Sequence, residues 1–366
     1  MGGAESQLTS LLEAGGSSWS GWRVTVLTLS ALHDASLVGR LEASSVRLAT
    51  VDRAASGFVG FFAGLAWWFR RERPDVVHTM LGGSAGTWGR LAARVAGVPR
   101  IVHSDRSLAP RRTGWQRRLE PLANRVTDLF VTNATAIAER LRTEGVDGAK
   151  IRVVRNGVDL ARFGDAAGTE LREAWGVPGT ALVAGYLGML RPEKRPGLLL
   201  DAAEALPQAD RPDRIVFAGD GVLMDELRAR VERTPWLREH VRLLGLVADT
   251  PAFLAAIDVL VLTSDTEGLP NAVIEAMAAG VPCIATRVSD VPHLVTDNGF
   301  IVEPGDARAV AEALRSVVRM SSGERRRLGR NGRIRAEATF ELGLAAERFQ
   351  AVHEELLARV PARRGR

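Results

Sequence analysis

The sequence predicts an α/β protein built from two doubly wound parallel sheets. Three observations predict it. From residue 22 onward, short apolar runs rich in Val, Leu and Ile alternate with amphipathic stretches, as repeated βαβ units require. No period of roughly 20 to 50 residues recurs, so the alternation is not that of a repeat array. The 366 residues are long for one domain and sufficient for two separate cores.

In the first half the strand candidates are Arg23 to Leu29, Val46 to Val51, Val76 to His78, Arg100 to His103, Leu129 to Thr132 and Arg152 to Val154. Helices are expected over the amphipathic stretches Phe61 to Glu72, Gly86 to Ala96, Trp115 to Arg125 and Ala134 to Glu144. Asn156 to Gly179 is then punctuated by Asn-Gly, Phe-Gly, Ala-Ala-Gly and Val-Pro-Gly, a composition that breaks regular structure and reads as a linker. Strands resume at Ala181 to Leu187, Ile215 to Ala218, Val241 to Leu244, Ile257 to Leu262, Cys283 to Thr286 and Gly299 to Val302, and the Pro-free stretch Phe340 to Arg359 reads as one last long helix. The expected domains are 1–165, 166–339 and a terminal segment 340–366, with a cleft between the two sheet domains.

Composition excludes several classes. The single cysteine, Cys283, rules out an internal disulfide and fits a reducing compartment, and its place at the start of an apolar strand makes it a buried structural thiol. The longest apolar run, Phe58 to Phe69, is too short to span a bilayer, and no signal peptide is expected, which places the protein in the cytoplasm. Residues 1–165 hold 22 basic and 15 acidic residues, a net of +7, while the rest hold 26 and 28, a net of −2. The first half is therefore the one expected to face an anionic partner. Seven arginines fall between Arg100 and Arg125 alongside Trp115, and Trp67-Trp68-Phe69 adjoins Arg70, Arg71 and Arg73. Basic and aromatic residues together suit peripheral docking on an anionic membrane, with arginine on a solvated helix as the plainer alternative. No nucleic-acid-binding motif is present, so nucleic acid is not an expected partner.

The run Glu267-Gly268-Leu269-Pro270-Asn271-Ala272-Val273-Ile274-Glu275 follows a buried strand and enters a helix that Pro270 opens and Gly280-Val281-Pro282 closes. In open α/β sheets ligands bind at the carboxyl ends of strands, where helix-start N–H groups favour phosphate. A carboxylate on each side of that turn is placed to hold two sets of hydroxyls, one of a sugar and one of a ribose. Two isolated glutamates would more often be solvated surface residues, but the surroundings reverse that. The stretch from Ser264 through Pro282, followed by Ile284-Ala285-Thr286, closely resembles the nucleotide-sugar motif of glycosyltransferase family 4.

The resemblance covers nearly the whole chain and implies the GT-B architecture, with a substrate half first, a nucleotide half second and a last helix crossing back onto the first domain. It also implies a retaining transfer from a UDP- or GDP-sugar to a glycan or lipid-linked acceptor in polysaccharide or glycolipid assembly at the inner face of the cytoplasmic membrane. On this basis Glu267 holds donor-sugar hydroxyls and Glu275 the ribose, while Gly268, Leu269, Pro270 and Asn271 present backbone N–H groups. Lys194 and Arg191, in Gly188-Met189-Leu190-Arg191-Pro192-Glu193-Lys194-Arg195, take the diphosphate. Many members carry Arg where this chain has Met189, so Arg191 or Arg195 stands in. Gly219 and Gly245 border the nucleobase, and His103, at a strand end, faces the donor sugar. Gly2 and Gly3 belong to a Gly-rich turn near the diphosphate and acceptor. That turn normally follows an apolar strand, so the first strand of the first sheet is expected to be missing.

No two aspartates lie two apart and no Cys/His cluster has zinc spacing, so no metal and no cofactor beyond the nucleotide-sugar co-substrate is expected. The missing strand and Met189 keep a second reading open, a non-catalytic nucleotide-sugar or polyanion-binding protein. A phosphorylase is disfavoured because Lys150, the only other lysine, lies in an expected loop.

Overall fold

The computed structural model describes residues 3–19, 21–30, 35–44, 46–52, 57–80, 84–108, 113–163 and 168–358. Its strands in chain order are β1 (Thr25–Thr28), β2 (Arg47–Thr50), β3 (Val76–Met80), β4 (Arg100–Asp105), β5 (Leu129–Thr132), β6 (Ile151–Val153), β7 (Val183–Leu187), β8 (Arg214–Ala218), β9 (Val241–Gly245), β10 (Val259–Leu262), β11 (Cys283–Thr286) and β12 (Gly299–Val302). The chain forms two compact units, the first made of Met1–Gly157 with Leu342–Arg366 and the second of Val158–Glu341.

The passage out of the first unit thus precedes the boundary expected at residue 165. Residues 158–163 belong to the second unit because Arg333 Nη1 donates to the Phe163 carbonyl at 3.1 Å, and Val158 N donates to the Phe340 carbonyl at 2.7 Å. Val158 also bridges Glu341 in parallel, so the outgoing and returning strands of chain lie side by side. The last helix begins at Leu342, two positions after Phe340, which serves as the C-cap of helix Ser322–Thr339.

The second unit holds one parallel sheet in the order β12-β11-β10-β7-β8-β9, a doubly wound arrangement with β7 and β10 at its centre. β10 and β11 are buried at every residue, as expected of strands covered on both faces. Helices Gly197–Ala205 and Ala307–Arg319 close one face over a core that includes Leu199, Phe217, Val261 and Leu314. Helix Asn271–Ala278 approaches helix Ser322–Thr339 closely: a Cβ on Gly329 would lie 1.7 Å from the Gly280 carbonyl oxygen.

The first unit differs. Its strands form two separate parallel sheets, β1-β2 and β3-β4-β5-β6, all within units of βα type. No ladder joins these two sheets among the described residues. β1 is half-buried along its length and β3 at alternate residues, whereas β5 is buried throughout. Without a strand between them, β1 and β3 each keep an edge unpaired among the described residues, the condition that exposes backbone N–H and C=O groups.

Helix Gly3–Gly15 packs on helix Leu342–Ala358, and Leu11, Ala345, Phe349, Val352 and Leu356 share a cluster with Val102, Leu129 and Val131 of the sheet. Each of the buried Leu, Val and Phe side chains contributes about 1.5–3 kcal/mol. The returning helix is also fixed by histidines. His353 Nδ1 donates to the Phe349 carbonyl at 2.9 Å, which leaves its Nε2 to accept from His78 Nδ1 at 2.9 Å. His78 Nε2 then accepts from the Ser104 hydroxyl at 2.8 Å. Burial, the neighbouring ring and Arg106 push His78 well below its ordinary range, and burial pushes His353 down against the opposing pulls of the Phe349 carbonyl and Glu354. Trp19 packs edge-on against both Phe349 and His353.

No described helix is long and apolar enough to cross a membrane. Cys283 is fully buried and desolvation pushes its thiol up to about 12, so it stays protonated and inert, as its position predicts.

Candidate active site

The second unit gathers its site at the carboxyl ends of β7, β8, β9 and β10. After β7 the chain turns sharply and is pinned to its neighbours: Gly188 N donates to the Ala218 carbonyl at 2.9 Å and Leu190 N to the Asp220 carbonyl at 3.0 Å. Gly219 N donates to the Gly245 carbonyl at 2.7 Å, so two of the glycines expected near the nucleobase are joined directly. Gly219 has φ +146°, and a Cβ there would lie 1.8 Å from the Gly188 carbonyl oxygen. Only glycine permits that approach.

Residues Pro192–Lys194 form a 3-10 turn that starts from Arg191 and ends on Arg195 in the left-handed region, φ 44°. Thr263, the residue after β10, holds this turn by donating its hydroxyl to the carbonyls of Lys194 at 3.0 Å and Arg195 at 2.9 Å. Lys194 Nζ is thereby aimed at the neighbouring loop, where it donates to Glu267 Oε2 at 2.5 Å. The other carboxylate oxygen, Oε1, accepts from the Ser264 hydroxyl at 2.6 Å, and the Ser264 carbonyl accepts from Thr286 at 2.6 Å. Glu267 is buried, and Tyr186 beneath it has its phenol pushed up by burial and by the charges of Glu267 and Glu193. That phenol stays protonated and donates to the Met189 carbonyl at 3.2 Å. Met189 itself points to solvent, 40 % exposed.

Arg195 does not join this cluster: it pairs with Asp265 at 3.2 Å. Arg191 stays half-buried at the head of the turn. Helix Asn271–Ala278 begins with Pro270 as N-cap, which supplies no side-chain cap. Gly268 and Leu269 bridge Glu267 to that cap. One turn further, Glu275 is half-buried, and burial raises its carboxyl above the usual range against the opposing charge of Arg162. Among the described residues no hydrogen bond reaches the Glu275 carboxylate, which leaves it acceptor capacity.

The structure therefore brings together Lys194 with Glu267, and Gly219 with Gly245. His103 lies in the other unit, buried, with Nδ1 2.9 Å from the Thr79 hydroxyl and its ring edge-on to Phe130. Gly3 is the first residue of helix Gly3–Gly15, and Gly2 lies outside the described residues. Ser264 and Thr286 stand in the quoted motif without an assigned role, and Thr263 and Tyr186 carry no role from the sequence; what these hydroxyls hold becomes specific only once β7, β10 and β11 are seen side by side.

Known proteins match this arrangement in both halves. The family model described as Glycosyltransferase Family 4 matches residues 1–162, and the one described as Glycosyl transferases group 1 matches residues 181–320. A UDP-Gal:alpha-D-GlcNAc-diphosphoundecaprenol alpha-1,3-galactosyltransferase of Escherichia coli is 34% identical over 260 residues, which cover 67% of this chain and 66% of that one. A D-inositol 3-phosphate glycosyltransferase of Mycobacterium tuberculosis is 29% identical over 325 residues, 80% of this chain and 64% of its own length. The matched stretches thus span just under two thirds of these relatives. Among solved structures, Anabaena HepE in complex with UDP and glucose superposes with a TM-score of 0.82 at 23% identity over 98% of this chain and 96% of that one. A glycosyltransferase from Rickettsia africae gives 0.83 at 16% identity over 98% and 96%. With both halves matched in order, the chain belongs to glycosyltransferase family 4 and has the GT-B fold.

Proposed function

We propose that this protein transfers a sugar from a nucleotide-diphosphate donor to a hydroxyl of a glycan or lipid-linked acceptor, with retention of configuration and without a metal ion. The observation that carries this reading is the Lys194–Glu267 contact, 2.5 Å long, at the carboxyl edge of the central strands. A cation for the diphosphate and a carboxylate for the sugar hydroxyls must be neighbours if one donor is to touch both. Lys194 and Arg191 stabilise the departing diphosphate, and the N-terminus of helix Asn271–Ala278 adds its dipole. Glu275, with acceptor capacity to spare, takes the ribose diol. Glu267 orients the donor sugar with the lone pairs that its contacts to Ser264 and Lys194 leave over, and in this reading it forms no covalent bond. The departing phosphate oxygen takes the acceptor proton, and His103 orients a donor hydroxyl.

UDP is the favoured nucleotide, since the E. coli relative is described as using UDP-Gal and HepE is seen with UDP. A thermal-shift screen against UDP, GDP, ADP and their sugars tests this, with stabilisation by UDP and UDP-sugars expected. Assembly of surface polysaccharide or lipid-linked glycan is the setting we propose. The first unit supplies a membrane-facing surface: Trp115 is 71 % exposed with Arg118 over its ring at 5.6 Å, and Leu122 on the same helix is 48 % exposed. Trp67, 60 % exposed, carries Arg71 at 5.3 Å. Co-sedimentation with vesicles containing phosphatidylglycerol is expected to fall when Trp115 and Leu122 are replaced by Ala. The second reading, a non-catalytic nucleotide-sugar- or polyanion-binding role, would be excluded if the purified protein turned over a UDP-sugar.

A further inference from the structure

Three loops at the carboxyl ends of β4, β5 and β6 converge in the first unit. Arg106 follows β4, Asn133 follows β5 and Asn156 stands shortly after β6. Arg106 Nη2 donates to Asn156 Oδ1, and Asn133 Nδ2 donates to the same oxygen at 3.4 Å. Asn133 is 4 % and Asn156 5 % exposed, so these contacts are made out of water.

Two atoms of the cluster are left over. Arg106 Nη1 is buried and has no hydrogen-bond partner, and Asn133 Oδ1 is likewise buried and unpartnered. The adjacent carboxylate does not neutralise the guanidinium: Asp105 gives Oδ2 to Arg140 and Oδ1 to the Ser107 N–H at 3.3 Å. Arg106 joins no ion pair among the described residues. Desolvation alone pulls it down to about 10, still charged at neutral pH. Arg106 as a whole is half-buried, but its Nη1 lies out of water with no counter-charge, and buried charges are as a rule paired.

We infer that Arg106, with Asn133 and Asn156, forms a subsite for a phosphoryl group attached to a sugar. The phosphoryl oxygen accepts from Arg106 Nη1, and a hydroxyl of the attached sugar donates to Asn133 Oδ1. Asn156 acts as a positioning residue, since its Oδ1 fixes both neighbours at once. A neutral hydroxyl alone would satisfy the hydrogen bonds and leave the charge unopposed; an oxyanion satisfies both. The subsite lies at the strand ends where α/β sheets receive ligands. It deepens the transfer reading above and rests on it for its role. Two sources supply the same chemistry: the sugar-diphosphate of the donor, or a phosphate-linked sugar of the acceptor.

Binding is tested first without turnover. Glucose 1-phosphate is titrated calorimetrically into the full chain carrying Lys194→Ala and Arg191→Ala, which remove both cations placed on the phosphate in the second unit. Adding Arg106→Gln is expected to weaken this binding by at least about tenfold, the worth of a lost charged hydrogen bond. Arg106→Lys, which keeps the charge without the fork, is expected to fall between. Equal affinity in all three overturns the subsite, whether or not the protein turns over a UDP-sugar. Steady-state kinetics of Arg106→Gln in the otherwise unaltered chain then locate the source. A raised KM for the UDP-sugar with every acceptor assigns the subsite to the donor. A raised KM for a pyrophosphate-linked acceptor, with that for an alkyl glycoside unchanged, assigns it to the acceptor. If neither KM moves, the subsite has no part in transfer and the proposal fails.

Discussion

In the second unit the cations Lys194 and Arg195 at the carboxyl edge are matched by the carboxylates Glu267 and Asp265, whereas in the first unit Arg106 stands there with a buried Nη1 and no ion pair among the described residues. The second unit builds its edge on one unbroken sheet, and the first on a sheet split between β1 and β3. The first also hides charge far from any edge: Arg90 is fully buried between helices Ser84–Val95 and Gly114–Val126, donating to Glu120 at 2.6 Å and Asn124 at 2.8 Å. In the second unit the pair Arg287–Glu303 is open to solvent. The Arg90–Glu120 pair of the first unit is thus held out of water, whereas the Arg287–Glu303 pair of the second is not.

The widest test of that contrast is Glu120→Ala, which strands Arg90 in the interior. Removing one partner of a buried pair costs about 3–5 kcal/mol, and urea denaturation is expected to show that loss. Glu303→Ala, in the second unit, is expected to cost no more than about 1 kcal/mol. Equal costs for the two would erase the distinction.

Function tests the second unit next. Glu267→Gln keeps the shape and removes the charge that Lys194 and Ser264 address, so transfer is expected to fall by about 10²–10³-fold with UDP affinity nearly unchanged. Glu275→Gln is expected to do the reverse, weakening UDP by about tenfold or more while sparing the choice of sugar. Calorimetric titration of UDP into both variants, beside initial rates, separates the two roles. A shared loss of UDP binding would mean the carboxylates act as one group.

The second unit was the more legible of the two for a physical reason. Glu267 to Glu275 is contiguous, so strand end, turn, helix start and both carboxylates can be read in one window. The expected strand Cys283 to Thr286 coincides with β11, because buried parallel strands are continuous apolar runs, and Gly299 to Val302 coincides with the half-buried edge strand β12. The hydroxyls that hold Glu267 and the Lys194 turn were not legible. Thr286 and Ser264 meet only through the pairing of β10 with β11. Helix Gly3–Gly15 was missed because its Gly- and Ser-containing sequence has a weak apolar face, and its helicity comes from packing on helix Leu342–Ala358. The meeting of Arg106, Asn133 and Asn156 was hidden for the same reason as the hydroxyls: adjacency in a sheet is not adjacency in sequence.

Acid is expected to weaken the first unit before the second. His78 and His353 are held neutral in the fold, with pKa values below those of the unfolded chain. Above about pH 7.5, a unit over the ordinary histidine pKa, neither state binds the proton and there is no penalty. As pH falls below that, the unfolded chain takes up protons the fold refuses, at a cost of at most about 1.4 kcal/mol per pH unit for each histidine. Denaturation followed by tryptophan fluorescence is a direct readout, since Trp19 and Trp22 pack against His353. Stability is expected to drop between pH 7.5 and 5.5, and His78→Asn is expected to flatten that slope. An unchanged slope in the variant would assign the acid sensitivity to other groups.

Ser264→Ala is the smallest change and the most specific to the second unit's edge. The Ser264 hydroxyl donates to Glu267 Oε1 at 2.6 Å while Thr286 holds the Ser264 backbone, so the alanine variant keeps the loop and frees one carboxylate oxygen. A hydrogen bond to a charged group contributes about 1.5–3 kcal/mol, and Lys194 on the other oxygen limits what its loss costs. The expected result is a drop in kcat of roughly tenfold or less with unchanged KM for the UDP-sugar, since Lys194 still anchors Oε2. Ser264→Thr retains the hydroxyl and is expected to restore part of the rate. If Ser264→Ala instead raised KM and left kcat alone, Glu267 would be a binding group held by Lys194 alone, and the charge pairing that separates the second unit from the first would bear on donor affinity, not on the transfer step.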